Sequence, residues 1–112
     1  MALLDMYQRK AQRLREDIAR LQMDKARVQK KLADLSGRTQ RAQESMRRTK
    51  SASTIQSKTR EIERCERETV SIEKRMAQIE RRLGQKSKEL LNEEKNIARE
   101  EERLARKAKY GS

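Results

Sequence analysis

The residues able to do chemistry are few, and their spacing offers little. Cys65 is the single thiol, and the chain of 112 residues has no His, Trp, Phe or Pro. A nucleophile needs a base within hydrogen-bond reach, and without imidazole the usual base is missing. The run "NEEKNIAREEE", Asn92–Glu102, concentrates carboxylates. A metal would need them to converge inward from several helices. On a single helix, with Lys95 and Arg99 interspersed, they read as a solvated face. No Gly-rich loop is present to cradle a phosphate. The sequence therefore predicts no catalytic residue, no cofactor site and no metal site, and a chain that is not itself an enzyme. Cys65 reads first as a small buried hydrophobe, and second as a crosslinking thiol near a two-fold axis. That leaves "TKSAS", Thr49–Ser53, a hydroxyl-rich stretch in a chain otherwise dense in Arg, Lys, Glu and Leu.

The elements around that stretch follow from composition and period. Charged residues make up 43% of the chain and aromatics 2%, too little apolar matter for a compact core. Such a composition signals disorder, unless a helical period organises it into a long helix or coiled coil. The period is there. Alternating steps of three and four give Leu4, Tyr7, Ala11, Leu14, Ile18, Leu21, Lys25, Val28, Leu32, Leu35, Thr39, Ala42, Met46 and Thr49, eleven of fourteen apolar. A second seam has Ile55, Ile62, Thr69, Met76, Leu83, Leu90, Ile97 and Leu104 in one column. Its alternate column runs Cys65, Ile72 and Ile79, then Lys86, Glu93 and Glu100. Sustained heptads of this kind mark a coiled coil. Beyond about residue 83 the second seam thins. A neighbouring column, Val70, Ala77, Gly84, Leu91, Ala98 and Ala105, supplies an apolar stripe turned sideways, which suggests a further neighbouring helix. Lys25 and Lys86, at seam positions, either set the register or snorkel to water. Gly37 and Gly84 fall within unbroken heptad phase, so both read as intrahelical.

The two seams are out of phase. Extended past Thr49, the first would fall on Ser53, Gln56, Arg60 and Glu63, all polar; the second begins at Ile55, two residues away. Coiled coils absorb insertions of three or four residues more readily than two. Arg47, Arg48 and Lys50 suit a helix C-terminus, and Ser53 with Gln56 has capping-box spacing. The prediction is an all-α fold: helix 1 over about 3–48, a tip of Thr49, Lys50, Ser51, Ala52 and Ser53, and helix 2 over about 54–108. Residues 1–110 then form one long antiparallel helical hairpin, with facing numbers adding to about 103. One long parallel coil of two chains is the competing arrangement. Gly111–Ser112 reads as a cloning remnant. Acid-before-base pairs four apart, Asp5/Arg9, Glu16/Arg20, Asp34/Arg38, Glu44/Arg48, Glu63/Arg67 and Glu102/Arg106, support the helices. A single hairpin seam is thin, so self-association into a dimeric four-helix arrangement is expected.

"TKSASTIQSKTREIER", Thr49–Arg64, followed by "IEKRMAQIERRL" and "LLNEEKNIAREEER", resembles the coiled-coil segment that precedes the TIR (Toll/interleukin receptor) domain in bacterial TIR proteins. The resemblance covers about residues 45–105. It implies an oligomerisation module that gathers TIR domains, which cleave NAD in many bacterial members. No TIR domain lies in this chain, and no glycohydrolase residue maps onto it.

The first ten residues hold too short an apolar run for a signal peptide, and no stretch approaches the roughly 20 apolar residues of a membrane span. A cytoplasmic setting without membrane insertion is expected. Net charge is +12, with 14 basic and 6 acidic residues over 1–50, and it attracts polyanions. The alternative function is therefore a basic helical hairpin that binds nucleic acid nonspecifically. Stacking aromatics are missing, and the basic residues surround the helices instead of forming one stripe. Any affinity for duplex DNA should come from counterion release alone. Titrations at about 50 mM and about 200 mM salt should differ by orders of magnitude, with no sequence preference; selective binding that survives physiological salt would favour the alternative.

Overall fold

A computed structural model describes residues 2–110; Gly111 and Ser112, read above as a cloning remnant, lie outside them. The described residues form two α-helices, α1 (Leu3–Arg48) and α2 (Ala52–Tyr110), arranged as a helical hairpin. No strand occurs among them. Helix ends carry charges that suit the macrodipole: Asp5 in the first turn of α1, Arg47 and Arg48 in its last, Lys107 and Lys109 in the last of α2. Gly37 and Gly84 are both helical, and neither has a positive φ.

The connection is shorter than the sequence predicts. Only Thr49, Lys50 and Ser51 lie outside the helices, and α2 starts at Ala52 instead of Thr54. The cap is Ser51, not Ser53. The Thr49 hydroxyl accepts the Ser51 N–H at 3.1 Å, closing the turn within two residues. The Ser51 hydroxyl then accepts the Thr54 N–H at 3.3 Å, the geometry of an N-cap to the third helical residue. The Ser51 carbonyl takes the first α-helical bond, from the Ile55 N–H, at 3.0 Å. Ser53, now inside the first turn, has its hydroxyl 3.2 Å from that of Ser51. Starting two residues earlier satisfies backbone groups that a longer tip would leave to water. At the other end α2 runs on to Tyr110, two residues beyond the expected 108.

Packing divides the chain into two units. Residues 24–80 contain the connection and both helix ends beside it. Here Val28, Leu35 and Ala42 of α1 and Cys65 and Ile79 of α2 are buried. Lys25 Nζ reaches Glu80 Oε1 at 3.9 Å. The other unit joins the residues up to 23 with those from 81 on; Ala11 is buried in it, and Lys86 Nζ lies 3.5 Å from Asp17 Oδ2. The paired numbers add to 105 and 103, as an antiparallel pair requires. No large side chain among the described residues is fully buried, because two helices cannot seal both flanks of one seam.

Ser51→Ala should cost about 1 kcal/mol, the usual value of a serine N-cap. Ser53→Ala should cost much less. Urea denaturation followed by circular dichroism compares the two, and the reverse order would return the cap to Ser53.

Candidate interaction surface

All fourteen positions of the first seam, from Leu4 to Thr49, are buried or half-buried. In the second seam Ile62, Cys65, Thr69, Ile72, Met76, Ile79, Leu83, Leu90 and Ile97 are likewise screened, while Ile55 and Leu104, at the ends, are exposed. Thr69 fits a seam position because its hydroxyl donates to the Cys65 carbonyl at 2.7 Å, leaving the methyl for packing. Leu90 and Ile97 are screened on the seam face, so charges placed there would break the hairpin before testing any external contact. Cys65 is a free, buried thiol, consistent with a packing role.

Past Leu83 the seam keeps its geometry and changes its chemistry. Lys86 and Glu93 are half-buried, and Glu100 is 7% exposed. Two of the three have a charged partner that offsets losing water. Lys86 pairs with Asp17. Glu100 is gripped by Arg103, whose Nη2 donates to Oε1 at 2.6 Å and whose Nε donates to both carboxylate oxygens at 3.1–3.2 Å. These bonds hold the Glu100 carboxyl below its ordinary pKa, against the opposing push of desolvation. The pair's stabilisation is therefore present at neutral pH and lost as the pH falls through that lowered value. Glu93 has no such solution: its Oε2 is buried without a hydrogen-bond partner.

The sideways column is exposed throughout. Val70 and Leu91 are each 54% exposed, and Ala77, Gly84, Ala98 and Ala105 are exposed as well. At one residue step, about 100°, from the Ile62–Ile97 column, it turns away from the seam. A Cβ added at Gly84 would meet nothing within 4 Å. The neighbour that this stripe suggested in the sequence is not α1.

Two of the six expected pairs on the helix surfaces are formed, Glu44–Arg48 and Glu102–Arg106. No cluster of three or more His, Cys, Asp or Glu able to hold a metal occurs among the described residues. No helix there is long and apolar enough to cross a membrane. Compared with family models, with curated proteins and with solved structures, the chain finds no match in any of the three.

Replacing a carboxylate that buries one unpartnered oxygen should help the fold. Glu93→Leu is expected to stabilise the hairpin by about 1–2 kcal/mol, from relief of desolvation and added apolar burial. A lowered midpoint in thermal or urea denaturation would show that Glu93 makes a contact the hairpin needs.

Proposed function

We propose that this chain is a coiled-coil assembly module. It self-associates, with a dimer favoured, and so brings copies of a fused effector together. From the resemblance of residues 45–105, that effector is a bacterial TIR domain that cleaves NAD in the cytoplasm, attached after Lys109. The observation that carries the reading is the exposure of Val70 and Leu91 on a face of α2 turned away from the seam. The column from Val70 to Ala105 holds no polar or charged side chain at any seventh position, and a continuous exposed face of this kind is characteristic of a contact surface. The seam holds the hairpin, the charge-rich exterior keeps it soluble, and the stripe supplies the association. Tethering of this kind raises the local concentration of a fused domain to about the millimolar range for short linkers. Domains inactive alone then meet.

Sedimentation equilibrium at roughly tens of micromolar, within the affinity range of modest interfaces, should give a multiple of the 13.3 kDa chain mass. The double variant Val70→Lys/Leu91→Lys should sediment as a monomer with its helix content intact. In the parent protein the same variant should lose NAD cleavage, and an unrelated dimeric coiled coil in place of residues 1–109 should restore it. A monomeric wild-type chain would overturn the reading. So would a monomeric variant with full effector activity.

A further inference from the structure

The exposed stripe of α2 is bordered by charges sorted by sign. On the side nearer the seam stand Glu66, Glu73, Glu80, Glu94 and Glu101, with Ser87 in the same column. On the far side stand Arg67, Lys74, Arg81, Lys88 and Lys95, with Glu102 closing the column. All of these residues are exposed. The sorting holds in each unit taken by itself: Glu73 and Lys74 border Ala77 in one, Glu94 and Lys95 border Leu91 and Ala98 in the other.

Within the helix these charges have little to pair with. Side chains meet at spacings of three and four. At those spacings Glu73, Glu80 and Glu94 find no base, and Lys74, Arg81 and Lys95 find no acid. Glu73 and Lys74 are adjacent in sequence and so do not face each other. Among the described residues, none of Glu66, Glu73, Glu94, Arg67, Lys74 and Lys95 engages in an ion pair, and Glu80 reaches only Lys25, at 3.9 Å. A merely solvated face would place acids and bases four apart, as at Glu44/Arg48 and Glu102/Arg106.

We infer that the α2 face centred on Val70, Ala77, Gly84, Leu91 and Ala98 docks the same face of a second copy, with the two α2 helices parallel and in register. This deepens the proposed self-association and rests on it. Symmetry makes the choice of orientation. A two-fold axis along parallel helices sets the acidic border of one copy against the basic border of the other. Glu66 then meets Arg67, Glu73 meets Lys74, Glu80 meets Arg81 and Glu94 meets Lys95 of the second copy, each contact occurring twice. Only Glu101 and Glu102 oppose like charges. In an antiparallel pair the two-fold axis lies across the helices and sets each border against itself. With the axis at Gly84, Val70 would fit against Ala98 and Ala77 against Leu91, a good match of large with small. But Glu73 would face Glu94, Lys74 would face Lys95, and Arg81 would face Lys88. The apolar stripe permits both orientations; the charges select the parallel one.

The test uses the full chain carrying Cys65→Ala, so that introduced thiols are the only ones. Val70→Cys alone and Ala98→Cys alone should each give a covalent dimer with a short thiol-reactive crosslinker. Crosslinking only in a mixture of the two variants would establish the antiparallel arrangement and overturn the inference. A chain that sediments as a dimer while neither variant crosslinks would place the contact on another face. That result overturns the inference and leaves self-association standing, whereas a monomeric chain removes both. Charge exchange gives a second readout with the helix content monitored. Glu73→Lys/Glu80→Lys/Glu94→Lys and Lys74→Glu/Arg81→Glu/Lys95→Glu should each weaken self-association by about tenfold or more at low salt, and their equimolar mixture should recover it. Unchanged association of either variant alone would overturn the inference.

Discussion

Two helices that pack only on each other share a single stripe of contact. Each has 3.6 residues per turn, and one neighbour screens little more than two positions per heptad. Everything else in this chain is arranged around that limit. The buried apolar residues are small or β-branched, Ala11, Val28, Ala42, Cys65 and Ile79, joined by Leu35. No large side chain among the described residues is sealed completely, and the surface is dense in charge because most of every turn is surface. Stability is therefore spread along the helices, and pairing must be kept in register by contacts distributed over both units. Lys25–Glu80 in one and Asp17–Lys86 in the other do this. Being partly exposed, such pairs add little to stability; their value lies in opposing a slip of one heptad.

The same limit explains the change of chemistry in α2. From Ile62 to Leu83 the residues turned inward are those that gain from leaving water. Beyond, the alternate column carries Lys86, Glu93 and Glu100, and the side chain that would gain most, Leu91, stands outside. A helix whose apolar residues drift off the existing contact has two ways to bury them. It can rotate, giving up the register of the first contact, or it can keep that register and recruit another helix. The burial pattern shows that the register is kept. Lys86 is held at the seam by Asp17 and Glu100 by Arg103, Glu93 stays there with its Oε2 unpartnered, and the drifting stripe is left exposed.

Most of the fold was legible because a coiled coil writes its contacts into a period. The steps from Leu4 to Met46 fall on positions of α1 that are screened, but they pass over Asp17, Asp24, Gly37 and Ser45, which are half-buried as well. The offset of two at Ile55 marked the reversal without a Gly or Pro to announce it. The cap was not legible. Ser51 and Ser53 both precede a run of helix formers, and only Ser53, with Gln56, has capping-box spacing. The choice turned on the Thr49 hydroxyl, which closes the turn early by accepting the Ser51 N–H, and no periodicity records that. The fate of Lys86, Glu93 and Glu100 was half legible. Heptad phase put them in the seam while their chemistry argued against it, and the phase prevailed because turning α2 would have exposed Ile72 and Ile79. The apolar stripe could be read from sequence, but its exposure could not.

The placement of charge on α2 joins these points. A helix stabilised on its own would interleave acids and bases at four-residue spacing and gain a few tenths of a kcal/mol per pair. α2 gives up that gain between Glu66 and Lys95, where the apolar stripe separates the signs. At Glu102 and Arg106, beyond the stretch bounded by Val70 and Ala98, the four-residue pairing returns. Local stabilisation is thus missing between Val70 and Ala98 and returns around Ala105, where the basic border gives way to Glu102. The two features are independent in principle, since Leu91 could sit between alternating charges as well as between sorted ones. Their coincidence along one helix is what a parallel neighbour would require, with apolar contact at the centre and opposite charges at both margins.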